Sequence, residues 1–241
     1  MVWAWLRIAV AVVGFSGVVA GFIVNVDRAR REGQDLGLVL ANYFSLFTIV
    51  STIILIVTFV IAGLWSLRNP GRSPEPRGIA LAIAGITGPI LLLGIVYNAL
   101  LRGLPSEIAL TDPSGIHSLD VWATESLHVI IPLYLLVDLF FASRRRALSW
   151  WSLAVIVAYP LLWLTYTLIR GGLTPDPSGA HDWWYPYPFL DPHGGGGWPS
   201  VLIYVAVMLV VLVAIGAGIV AVGRLRSRRA AARTSPVGAA G

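Results

Sequence analysis

Six stretches of this 241-residue chain are apolar for long enough to cross a bilayer, and nothing else constrains its fold as strongly. A spanning helix needs about 20 predominantly apolar residues. Runs of that kind fall at about 3–25, 43–66, 78–101, 119–142, 149–169 and 199–223. The first resembles a signal peptide in position only. Its apolar stretch from Ile8 to Val24 is long for such a segment, and a single arginine, Arg7, precedes it. The expected fold is all-α: a polytopic membrane protein whose residues 1–223 form one bundle of six transmembrane helices. A basic, disordered tail is expected at 224–241.

Composition agrees. Hydrophobic residues make up 57% of the chain and charged residues 12%, about half the charged share of a soluble domain. The absence of cysteine excludes disulfide frameworks, thiolate metal sites and thiol nucleophiles. All 17 basic residues are arginine. With a cytoplasmic N-terminus, 12 of them fall on inner segments, leaving Arg28, Arg30, Arg31, Arg102 and Arg170 outside. Positive charge favours the cytoplasmic side, so both termini are expected to be cytoplasmic, in a multi-pass protein of the plasma membrane. The surplus arginine therefore reports membrane orientation rather than affinity for nucleic acid. Nine of the ten tryptophans lie near span ends, and only Trp163 falls well inside one.

Function is sought among polar residues that a lipid-facing helix does not contain. Asn42, Ser45, Thr48, Ser51 and Thr52 recur at spacings that place most of them on one side of a continuous second span. Span four carries Glu125 and His128 on one face. Pro132 follows, and its missing N–H deprives the His128 carbonyl of its helical partner. At 1.5 Å per residue, Thr48 lies about 8 Å and His128 about 14 Å below the outer boundary. Tyr97, Asn98 and Arg102 end span three on the same side, and Tyr166 and Arg170 end span five there. Polar side chains thus converge on the outer half. The inner half holds Asp138, expected near enough to the surface to hydrate. Serine and threonine in membrane helices ordinarily bond the carbonyl four residues back or tie helices together. A buried histidine–glutamate pair is a functional candidate by default.

The longest connection, about 171–198, contains Trp183, Trp184, Tyr185, Tyr187 and Phe189 among five prolines. It reads either as a cover over an outer cavity or as an aromatic anchor at the interface. DPSGIH at Asp112–His117 matches DPSGAH at Asp176–His181, and YNALLRG precedes the first as YTLIRG precedes the second. A duplicated hairpin explains both matches; a shared good turn explains the first. Haem-type histidine pairs, HExxH, phosphate-binding glycine loops and GxSxG are missing, so no cofactor and no metal is expected.

NYFSLFTIVST in span two, SLHVIIPLYLLVDLFF in span four and WYPYPFLD before span six resemble a bacterial group of six-span membrane proteins. That group is similar to the androgen-induced, FAR-type membrane proteins of animals. The resemblance implies a hydrolase of fatty acid esters of hydroxy fatty acids, with an intramembrane threonine nucleophile matching Thr48 and a histidine matching His128. The chemistry is coherent, because a threonine hydroxyl needs a base within hydrogen-bond reach and a buried neutral imidazole supplies one. Glu125 is expected to orient or polarise the ring. Ser45, Tyr97, Asn98 or Arg102 is expected to stabilise an oxyanion. Membrane lipids and an acyl-ester substrate are the expected partners. The competing readings are a non-catalytic protein that binds or transports lipid or small molecules, and a structural subunit whose polar groups only pack helices.

Overall fold

A computed structural model describes residues 1–71, 74–102, 116–143 and 145–234. These are helical with no strand among them, and six helices are long and apolar enough to cross a membrane. The protein is an integral, multi-pass membrane bundle. In hydrocarbon only a helix or a closed barrel satisfies all backbone groups, which is why such long apolar runs fold this way.

Helix α1 spans Val2–Arg31, α3 Phe47–Arg68, α7 Ser152–Gly171 and α8 Gly197–Thr234. α4, Arg77–Val96, continues through a π-helical turn at Tyr97–Leu101. The fourth span is composite: α5 at His117–Glu125, a π-helical turn at Ser126–Ile130, then α6 at Ile131–Phe141. A short helix, α2 at Leu36–Ser45, lies ahead of α3 and is capped by the Asp35 carboxylate, which accepts the Leu38 N–H at 2.7 Å. α1 packs on α3 and α5, while α4 touches α3, α6, α7 and α8 and is the most enclosed span. Two glycines allow close approach to the fourth span. A Cβ at Gly17 would stand 2.4 Å from Ser126 Oγ, and one at Gly94 2.9 Å from Pro132. Both contacts hold the composite span that carries His128.

The end of the bundle that holds Asp138 departs from expectation. Asp138 is fully buried rather than hydrated. Its Oδ1 accepts from Arg7 Nε at 3.0 Å, and its Oδ2 from Arg145 Nε at 3.1 Å and Nη2 at 2.5 Å. Arg7 Nη1 also reaches Glu75 Oε2 at 3.2 Å. Two cations and two carboxylates thereby neutralise one another away from water, as buried charges require. A second departure concerns the tail. α8 continues past 223 to Thr234, and Arg226 donates to the Leu139 and Ala142 carbonyls at 2.7 and 2.6 Å. Those carbonyls end α6 and lack helical donors, so the arginine serves them and keeps α8 ordered beyond the apolar run. The start of α1, the α3–α4 and α6–α7 connections and the end of α8 thus share one end of the bundle.

Candidate active site

The second span is not one helix. α2 stops at Ser45, Leu46 is extended (φ −60°, ψ 136°), and α3 starts afresh at Phe47. The break sits where a continuous span from 43 was expected, so Asn42 and Ser45 do not continue the helical stripe of Thr48, Ser51 and Thr52. Side chains of α7 sustain it. Trp163 Nε1 donates to the Ser45 carbonyl at 2.9 Å, and Arg170 Nη2 to Asn42 Oδ1 at 2.6 Å. Ser45 Oγ donates to the Asn42 carbonyl at 2.7 Å and lies 3.5 Å from Arg170 Nη1. Ser45 therefore supports the break and does not line the cavity described below.

The consequence for Thr48 is direct. Thr52, Thr87 and Thr165 each donate to the carbonyl four residues back, at 2.7, 2.6 and 2.9 Å. Thr48 is the second residue of α3, with no helical turn behind it to offer such a carbonyl. Its hydroxyl instead meets His128 Nε2 at 3.3 Å. The other ring nitrogen, Nδ1, is 3.0 Å from the Thr124 carbonyl. A carbonyl only accepts, so the proton belongs on Nδ1 and the Nε2 lone pair faces Thr48. That is the tautomer of a general base.

Three neighbours hold the imidazole. The Tyr97 ring stacks on it with centroids 4.0 Å apart. Asn98 Nδ2 donates to the His128 carbonyl at 3.1 Å, replacing the N–H that Pro132 lacks, and to the Gly94 carbonyl at 2.8 Å. Arg102 Nε donates to Asn98 Oδ1 at 2.8 Å, and the guanidinium lies 5.5 Å from the Tyr97 centroid. Glu125 does not make the orienting contact to the ring. Its carboxylate pairs with Arg102 Nη1 at 2.8 Å, and the ring is oriented by the Thr124 carbonyl. The π-helical turn that begins at Ser126 changes the phase between positions 125 and 128, which a regular helix would have kept on one face. The Glu125 hydrogen bond in turn raises the Arg102 pKa. Asn98 and Arg102 lie behind the histidine and do not line the cavity described below.

Thr48 and His128 form the polar end of an apolar cavity of about 100 Å³ between α4, α7 and α8. Its walls include Leu93, Val96, Leu164, Met208 and Leu209, and its lining residue Leu161 is exposed on the outside of the bundle. The long loop covers the outer end. Trp184 N–H donates to the Gly171 carbonyl at 2.9 Å, and Leu190 is buried. Tyr187 stacks on Phe189 at 5.3 Å and lies 6.0 Å from Trp163. Tyr187 lines the same cavity as Phe47 and Thr48. Burial pushes its pKa up against the lowering effect of those groups, so the phenol stays protonated. Neither Tyr187 nor Arg170 was among the site residues expected from sequence. The signals were present in Trp163, the one tryptophan deep in a span, and in the prolines flanking Tyr187.

The loop histidines do not gather around a metal-sized space. Trp183 is sandwiched between His181 and His193, at 4.6 and 3.8 Å. Among the described residues no group of three or more histidines, aspartates or glutamates is placed to hold a metal ion. Of the two matched hairpins, Asp112–Gly115 lies outside the described residues. The stretches before them differ: Tyr97–Leu101 is a π-helical turn, whereas Tyr166–Arg170 is regular α-helix. Comparison of the chain with protein-family models, with curated proteins and with solved structures gave no match.

Proposed function

We propose that this protein is a membrane-embedded hydrolase of lipid esters, with Thr48 as nucleophile and His128 as general base. The observation that carries the reading is the 3.3 Å contact between Thr48 Oγ1 and an Nε2 whose lone pair is left free by the Thr124 carbonyl. The apolar cavity beside it favours an acyl chain over a soluble substrate. The resemblance to FAR-type hydrolases points the same way, and the arginine bias supports a plasma-membrane protein with cytoplasmic termini and an outward-facing site.

The reaction runs in two halves. His128 Nε2 takes the hydroxyl proton as Thr48 Oγ1 attacks the ester carbonyl, and the tetrahedral oxyanion collapses onto an acyl-threonine. The same Nε2 returns its proton to the departing alkoxide. Water, deprotonated by Nε2, then attacks the acyl group, and Thr48 leaves with that proton. The acyl chain stays along Leu93, Val96 and Met208 throughout.

The test is turnover of purified protein in lipid nanodiscs against a panel of long-chain acyl esters, read as free fatty acid. Thr48→Val keeps the side-chain shape, and His128→Gln keeps a hydrogen-bonding group. Each is expected to lower kcat by at least about 10³-fold. Stoichiometric lipid binding with no turnover of any ester would overturn the reading and leave a lipid-binding or transport protein.

A further inference from the structure

The cavity has two ends of different character. At one, Thr48, His128 and Tyr97 meet, with the Tyr97 ring stacked on the imidazole. At the other, the lining residues Leu92 and Leu212 are 7% and 2% exposed and belong to a packed apolar core with Ile156 and Ile219. One turn back along α4 from Leu92 is Gly88. A Cβ there would stand 2.5 Å from Ile156 Cγ2 and 3.7 Å from Leu212 Cδ1, so the α4 backbone closes directly on these side chains. Among the described residues, Leu92 and Leu212 thus form the floor of a blind end.

Helix geometry gives the depth of that end. Tyr97 marks the level of His128, and Leu92 precedes it by five residues, about 8 Å at 1.5 Å per residue. Across the cavity, α8 contributes lining from Val205 to Leu212, about 10 Å by the same rise. A staggered hydrocarbon chain advances about 1.3 Å per carbon, so about six to eight carbons fit between a carbonyl at Thr48 and the floor. The walls between, Leu93, Val96, Met208 and Leu209, are apolar throughout and suit a plain alkyl chain.

Resting on the assignment of Thr48 as nucleophile, we propose that this blind end is the acyl subsite and that Leu92 and Leu212 set the preferred length of the acyl arm, near octanoyl. The alcohol arm points the other way, past the exposed Leu161 on α7 toward the surrounding lipid. Lipid tails are as apolar as leucine, so a chain gains little hydrophobic energy by passing from bilayer to cavity, and length is read by fit. An arm that just reaches the floor fills the space against Leu92 and Leu212. A longer one must displace side chains that are already close-packed, or leave part of itself outside, and reacts more slowly. The favoured substrate class is therefore an ester of a medium-chain acid with an alcohol whose length is unrestricted.

The test uses the full chain in nanodiscs and hexadecyl esters whose acyl arm grows from butanoyl to hexadecanoyl, so that every member enters the bilayer through the same alcohol. kcat/KM is expected to peak near octanoyl and to be at least about tenfold lower at dodecanoyl. Leu212→Ala should move the peak about two carbons longer, and Leu92→Phe about two carbons shorter. Opposite shifts do not arise from lost stability, which lowers the whole series in proportion. In a second measurement, a hexadecyl octanoate carrying a diazirine at the end of its acyl arm should cross-link to the peptides that hold Leu92 or Leu212, in wild type and in folded Thr48→Val alike. A flat length profile, a peak that neither variant moves, or a length limit found on the alcohol arm would overturn the proposal, as would cross-linking elsewhere. The two claims fail separately. If Thr48→Val retains turnover, or wild type hydrolyses no member of the series, the nucleophile assignment falls, and the cross-link alone decides whether the blind end holds the chain.

Discussion

Replacing Arg7 by methionine tests the buried charge cluster that closes one end of the bundle. In the native protein Arg7 and Arg145 balance Glu75 and Asp138. Without Arg7, Asp138 keeps both contacts to Arg145, but Glu75 loses the one cation that pairs with it among the described residues. Glu75 is 1% exposed, and its Oε1 already has no hydrogen-bond partner among the described residues, so a carboxylate is left in the interior. Breaking a buried pair in this way costs about 3–5 kcal/mol. At about 2–4 °C per kcal/mol for a chain of this size, the unfolding midpoint should fall by roughly 6–20 °C. Arg7→Met with Glu75→Leu removes one charge of each sign, leaves the neutral Asp138–Arg145 pair, and should recover all but about 1–2 kcal/mol. The assay is thermal unfolding of the purified single and double variants in one detergent. A single variant within about 1 kcal/mol of wild type, or a double variant no better than the single, would refute the reasoning.

Other predictions concern the site and its sidedness. Asn98→Leu removes the donor that replaces the missing Pro132 N–H, and should cost about 1–3 kcal/mol in unfolding assays and lower turnover; adding Pro132→Ala supplies an N–H and should restore part of the stability. Glu125→Gln should leave turnover within about threefold of wild type, because its partner is Arg102, whereas a loss of 100-fold would return it to the histidine. Since the chain has no cysteine, Ser178→Cys should react with a membrane-impermeant maleimide on intact cells and Ser143→Cys should not; the reverse pattern would invert the orientation.

Much of this was legible in the sequence for identifiable reasons. Apolar runs long enough for a bilayer have one structural outcome, so each expected span has a matching helix, with most ends within four residues and α1 and α8 running further. His128 stood out because an ionisable group at membrane depth needs a partner, whereas Thr48 was one of several hydroxyls on its span and was singled out by the family resemblance; the structure sets the two 3.3 Å apart. What escaped the sequence depends on contacts between distant segments. The break at Leu46 has no glycine or proline to announce it and is sustained by Trp163 and Arg170 from another helix. Arg7 and Glu75 are 68 residues apart, so the burial of Asp138 could not be read from its neighbours. The ring contact expected of Glu125 is made by the Thr124 carbonyl instead, because a π-helical turn shifts the phase of the helix there. Tyr187 reaches the site only through the path of a long loop.

The most direct test of the central claim is covalent capture of the nucleophile. A long-chain fluorophosphonate should label the wild-type protein once, with the adduct on Thr48 by peptide mass spectrometry, and should fail to label folded Thr48→Val or His128→Gln. Full labelling of both folded variants, or an adduct on any other residue, would contradict a Thr48–His128 hydrolase.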